Sequence, residues 1–299
     1  MQNHTKGIIY ASITAFFWGF LPIALKVAVQ EVEPVTIVWF RFALAFIMLA
    51  AWQSVKNPAA FKLLIKPPLL LVLAAVALTW NYLGYMLGIH YTTPSNAQLF
   101  IQTGPIMLAL SGFLFFKERI TRIQVVGFAI AILGLSFFYH DQLSVFIGHN
   151  GNYNFGVILT LTAALAWATY AALQKKLVSK YSTESLNLFL FALPIIVYLP
   201  FIHLAPLLQL SWLWWLLLAF LGANTFIAYT ALAEALKYTD ASVVSIIIII
   251  NPIITFITMG ILTALDVSWV AHEHFSMITI LGASLVITGI ILVAKKKKG

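Results

Sequence analysis

Arg41 stands inside the apolar run "VTIVWFRFALAFIML", about seven residues from the start of that run. At about 1.5 Å per residue this places a permanent positive charge roughly 10 Å into a membrane-spanning helix. A charge facing lipid at such depth costs about 2.5–3.5 kcal/mol, so it is expected to face a bundle interior or a wet cavity. There a guanidinium can recruit a carboxylate or phosphate. The alternative is that it snorkels outward or ties down loop carbonyls, with Glu31 or Glu33 as surface partner.

Around it, at mid-span depth, stand the amides Asn81, Gln98, Gln102, Asn224 and Asn251 and the rings Trp18, Trp80, Tyr82, Trp167, Tyr170 and Tyr229. Amides in an apolar medium need partners, supplied by a ligand or by a neighbouring helix. A ring-walled cavity suits amphipathic or aromatic solutes and cations. Pro105 and Pro252 follow Gly104 and Asn251. Each proline frees a carbonyl four residues earlier, which creates a hinge, a carbonyl-lined site or a static kink.

None of the nine carboxylates falls at the centre of a span, where proton-coupled pumps place an acid. This favours a facilitator or exchanger. Glu234 and Glu118 are the candidates for ion coupling, and Glu234 also has Lys237 at i, i+3 for a salt bridge. "HEH" at 272–274 has two histidines at i, i+2 in a loop, a poor metal site. No phosphate-cradling loop, Ser-His-Asp set or HExxH is present, so neither an enzyme nor a cofactor is expected.

The elements that must position these residues are apolar spans at roughly 7–29, 34–53, 69–89, 94–116, 121–139, 154–177, 184–204, 212–236, 241–264 and 275–294. With 62% hydrophobic and 9% charged residues, the chain falls in the class of multi-pass membrane proteins. The net charge of +8 sits in short clusters between spans, which argues for orientation against lipid and against nucleic acid. All but two of the 17 basic residues, Lys26 and Arg41, lie in alternate connections and the two tails, ending in Lys295 to Lys298. By the positive-inside rule both termini are cytoplasmic, in a plasma or inner membrane.

The chain also repeats itself. Residues 90–106 read "HYTTPSNAQLFIQTGPI" and residues 237–253 read "KYTDASVVSIIIIINPI", in register at an offset of 147. Trp18 meets Trp167 at 149 and Tyr82 meets Tyr229 at 147, while Gly127 and Gly134 meet Gly282 and Gly289 at 155. One unit is five helices, an odd number, so the second copy enters the membrane from the opposite side. The expected fold is an all-α membrane protein of ten helices in two inverted repeats, residues 1–145 and 146–299. Oligomeric state leaves no mark in the sequence.

Those repeated stretches, with "FWG" in the first span, "RF" in the second and "KER" closing the fourth, resemble the EamA family of the drug/metabolite transporter superfamily. The resemblance covers both halves. It implies a ten-helix transporter, commonly an exporter of amino acids or other small metabolites, with a cavity lined by spans 1–4 and 6–9. It departs where "FKERIT" in the first half meets "TALDVS" in the second, so that Glu118 has only Asp266, displaced by one position, as counterpart. The reading that follows is a secondary transporter working by alternating access, its partners a small-molecule substrate and lipid. The rivals are a multidrug efflux protein and a lipid-handling or enzymatic membrane protein.

Overall fold

The computed structural model of the chain describes residues 2–92, 94–140, 151–267, 269 and 276–294. The "HEH" stretch and the closing lysines lie outside them. Every regular element among the described residues is helical, in the order α1 (Gln2–Ala28), α2 (Pro34–Lys56), α3 (Lys62–Ile65), α4 (Leu69–Tyr91), α5 (Pro94–Ile101), α6 (Thr103–Leu114) and α7 (Arg122–Phe138). The chain continues through α8 (Gly151–Leu177), α9 (Thr183–Tyr198), α10 (Trp212–Tyr238), α11 (Ala241–Ile248), α12 (Asn251–Ala264) and α13 (Met277–Ala294).

Helix starts follow local chemistry. Pro34 occupies the first turn of α2, where its missing N–H is no loss. Thr121 and Gln124 form a capping box at α7, and the Ser182 hydroxyl accepts from Ser185 N–H at α9. The seventh predicted span, 184–204, is shorter than expected. α9 ends at Tyr198 and the chain passes into 3-10 turns that carry Pro200 and Pro206.

Two predicted spans, 94–116 and 241–264, are each broken in the middle, into α5 and α6 and into α11 and α12. The prolines therefore stand in the first turn of the second piece, Pro105 third in α6 and Pro252 second in α12, and not within a continuous kinked helix. At both breaks tighter i→i−3 bonds replace the helical ladder, Gln102 N–H to Leu99 O and Ile250 N–H to Ile247 O.

Counting α5 with α6 and α11 with α12, eight helical segments among the described residues are long and apolar enough to cross a membrane. The remaining pair, Arg122–Phe138 and Met277–Val293, is apolar but shorter. α7 packs along α13 with almost no space between backbones: a Cβ at Gly282 would collide with Phe138 N, and one at Gly134 would lie 2.9 Å from Gly282 O. The other large contacts are α4 with α8 and α1 with α10, followed by α2 with α10, α2 with α9 and α6 with α8. A continuous buried core runs through all of these helices.

Candidate functional site

The central cavity lies where the two broken segments meet α1, α2, α4, α8 and α10. Its volume is ≈ 60 Å³, and Trp18, Arg41, Asn81, Tyr82, Gln98, Gln102, Pro105, Trp167, Tyr229 and Asn251 stand on its wall. Nine of the twelve residues predicted to bind substrate are thus brought together, from both halves of the chain.

Arg41 is 2% exposed, so it does not snorkel. Its Nε donates to Thr225 Oγ1 at 3.1 Å, and its guanidinium carbon lies 4.5 Å from the centre of the Tyr82 ring. Among the described residues no carboxylate comes within 4.0 Å of it. Glu33, one of the two alternative surface partners, instead meets His203 Nδ1 at 2.6 Å. The stacked ring and the hydroxyl hold the guanidinium in place without neutralising it.

The aromatic residues that repeat in the sequence touch one another in space. Trp18 and Trp167 pack edge to face with centroids 5.8 Å apart, Tyr82 and Tyr229 lie 5.4 Å apart, and Trp18 and Tyr229 lie 5.3 Å apart.

A ring of amides closes the side of the cavity next to the helix breaks. Asn251 Oδ1 accepts from Gln98 Nε2 at 2.8 Å and from Gln102 Nε2 at 2.9 Å. Tyr85 donates its hydroxyl to Gln98 Oε1 at 2.5 Å. This network joins the break in one half to the break in the other. Asn81 donates to Ala163 O at 2.9 Å, binding α4 to α8 at the cavity edge.

Three predicted residues stand elsewhere. Trp80 is 41% exposed on the flank of α4 and donates to Thr162 Oγ1 at 3.2 Å. Successive helical residues are about 100° apart, so Trp80 points away from the arc shared by Asn81, Tyr82 and Tyr85. Tyr170 is fully buried behind the wall, 5.8 Å from Tyr229. Asn224 makes the interhelical bond that is the alternative to ligand binding, donating Nδ2 to Phe17 O at 2.7 Å.

Of the two prolines, only Pro105 reaches the cavity. The two coupling candidates also lie off the wall: Glu234 pairs with Lys237 at 3.8 Å and accepts from the Thr183 hydroxyl, and Glu118 caps α11. Tyr85, Leu21, Ile101 and Ile248 join the wall without being expected there. Tyr85 does carry a signal, since it follows Asn81 by four and therefore shares its face.

An apolar bundle of long helices around a small cavity walled by aromatic rings, amides and an arginine is the build of a multi-pass membrane transport protein. The EamA-like transporter family matches residues 5–139 and again residues 154–295, and the chain belongs to that family. Over 294 residues it is 31% identical to a Haemophilus influenzae protein named "Uncharacterized transporter", covering 98% of this chain and 96% of that one. Over 291 residues it is 32% identical to the Escherichia coli K12 "Uncharacterized inner membrane transporter YhbE", covering 96% and 91%. A chain in a solved crystal structure superposes with a TM-score of 0.75 over 97% of both chains at 16% identity, a likeness of fold alone.

Proposed function

We propose that the protein is a secondary transporter of small metabolites that bear a carboxylate, amino acids first, and that it works by alternating access between inverted five-helix repeats, residues 1–145 and 146–299. The observation that carries the substrate reading is Arg41: buried on the cavity wall, held by Thr225 and Tyr82, and facing no carboxylate among the described residues. A substrate carboxylate supplies the missing counter-charge, and the rings of Trp18, Trp167, Tyr82 and Tyr229 pack against its apolar part.

The packing supports the repeat reading. Exchanging α1 with α8, α4 with α10 and α2 with α9 turns α1–α10 into α8–α4 and α2–α10 into α9–α4, and maps α2–α9 onto itself. A cavity of ≈ 60 Å³ is smaller than an amino acid needs, so loading requires the two halves to part. With no carboxylate on the wall among the described residues, the protein is read as a facilitator or exchanger in a bacterial-type inner membrane, its lysine-rich connections and both termini cytoplasmic. An arginine on the wall and no acid beside it oppose organic cations as cargo.

The test is release from proteoliposomes loaded in turn with amino acids, organic acids and lipophilic cations, with and without a pH gradient. Selective, gradient-independent release of amino acids is expected. Gradient-dependent movement of cations would sink the reading.

A further inference from the structure

Glu118 lies just beyond α6, in the first half of the chain, yet its side-chain hydrogen bonds go to the second half. One carboxylate oxygen accepts from Ala241 N–H at 2.7 Å; the other accepts from Ser242 N–H at 3.1 Å and from the Ser242 hydroxyl at 2.7 Å. These are the first backbone donors of α11, whose own N-cap residue, Asp240, makes no side-chain capping bond. A helix that would ordinarily be capped from within is capped across the interface between halves.

The fit is close. The Glu118 carboxylate fills the space beside Gly112, where a Cβ would come within 2.5 Å of its Oε2. Lys117 reaches the required turn with a left-handed φ of 52°. Next to this contact, Lys175 Nζ donates to Leu236 O at 2.8 Å and to Thr239 O at 2.5 Å, fastening the end of α10 that leads into α11. Ser245 stands one helical turn from Ser242 and one turn from Ile248 on the cavity wall, and Leu108 one turn from Pro105 and one from Gly112; both are fully buried.

We propose that Glu118 is a latch. In this conformation it clamps α6 to the N-terminus of α11 and seals the cavity from the face that carries the lysine-rich connections. Releasing it lets α6 and α11 part and opens the cavity to that face. The proposal rests on the alternating-access reading.

The absence of cysteine from the chain makes a direct test available, because a single introduced cysteine is the only thiol to alkylate. Ser245→Cys reports the latched side, and Thr160→Cys, equally buried but in the α4–α8 contact beside Gly88, is the control away from the latch. Each is placed in the otherwise unchanged protein and in Glu118→Gln, reconstituted in lipid nanodiscs, and alkylation by N-ethylmaleimide is followed by intact mass. Glutamine loses the charge and presents an N–H to the backbone donors. Labelling of the Ser245→Cys protein is therefore expected to accelerate about tenfold or more, with the Thr160→Cys protein unchanged or slower. Unchanged labelling of the Ser245→Cys protein, or equal acceleration of both, overturns the latch. If Glu118→Gln does not yield folded protein, Gly112→Ala displaces the carboxylate while keeping its charge, and the same criteria apply. The readout needs no substrate, so the latch and the proposed cargo succeed or fail separately.

Discussion

Replacing Arg41 with methionine tests the proposed site most directly. The neutral side chain keeps much of the arginine stem's bulk while removing the one charge on the cavity wall among the described residues. In the present structure that charge is held by a 3.1 Å hydrogen bond to Thr225 and a stacked ring 4.5 Å away. A carboxylate entering the cavity would therefore meet a guanidinium fork that no acid among the described residues occupies. A hydrogen bond to a charged partner contributes about 1.5–3 kcal/mol net. At 1.4 kcal/mol per decade, Arg41→Met should weaken the apparent affinity for a carboxylate-bearing substrate by about 10- to 100-fold. Arg41→Lys keeps the charge but loses the planar stack and the fork, and it should fall between the two. Stability should move the other way. Removing a buried charge that has no counter-ion lifts a desolvation penalty, so the melting temperature of Arg41→Met in detergent should hold or rise. The assay is concentration-dependent efflux from proteoliposomes alongside thermal unfolding. If Arg41→Met leaves affinity unchanged in folded protein, or if it unfolds the bundle, then Arg41 is a structural residue and the substrate reading loses its basis.

Three further outcomes follow from named contacts. Asn251→Leu takes the shared acceptor from the buried Nε2 groups of Gln98 and Gln102 and should cost about 1–3 kcal/mol per group left short of a partner, read as a lower midpoint of thermal unfolding, whereas Asn251→Asp keeps an acceptor and should cost less. Gly282→Val drives a side chain into the Phe138 backbone and should destabilise the α7–α13 pair by about 1–3 kcal/mol or more; Gly151→Val, with nothing within 4 Å of its Cβ position, should be silent in the same melt. Lys175→Met removes two short bonds to the carbonyls of Leu236 and Thr239 and should lower the unfolding midpoint more than Lys26→Met, which loses only a 3.4 Å bond to Ile89 O.

The positions of the spans are legible because lipid demands about 20 apolar residues and tolerates few charges between the ends. Which face of each span turns inward is far less so. In a soluble helix the inner face is the apolar one; here the lipid-facing side is just as apolar, and the alternation that separates inside from outside is missing. Trp80 and Asn224 accordingly read as wall residues in the sequence, yet one packs on the flank and the other binds a carbonyl of α1. Tyr85 does not stand out in the sequence although it completes the arc of Asn81 and Tyr82. Charge is the clearer signal. Arg41 can be placed inward from the cost of exposing it to lipid, whereas its partner Thr225, an ordinary helix hydroxyl, carries no mark of that role.

On the inverted-repeat reading, the repetition itself explains why two kinds of residue share the cavity. A side chain close to a two-fold axis meets its own counterpart, and this is what Trp18 does with Trp167 and Tyr82 with Tyr229. The polar residues break the symmetry. At the same offsets Arg41 corresponds to Leu190, Gln98 to Ser245, Gln102 to Ile249 and Asn251 to Gly104. A symmetric aromatic lining offers the same surface to either end of a solute, but a single arginine does not, so a carboxylate-bearing substrate should sit in one orientation. The same asymmetry appears at the latch. Glu118 caps α11 from a position where the second half offers only Asp266, one residue displaced, although Lys117 and Asp266 share the left-handed backbone that ends their helices. Two scaffolds that match in backbone but differ in these side chains can rock between equivalent packings while binding and sealing unequally on the two faces.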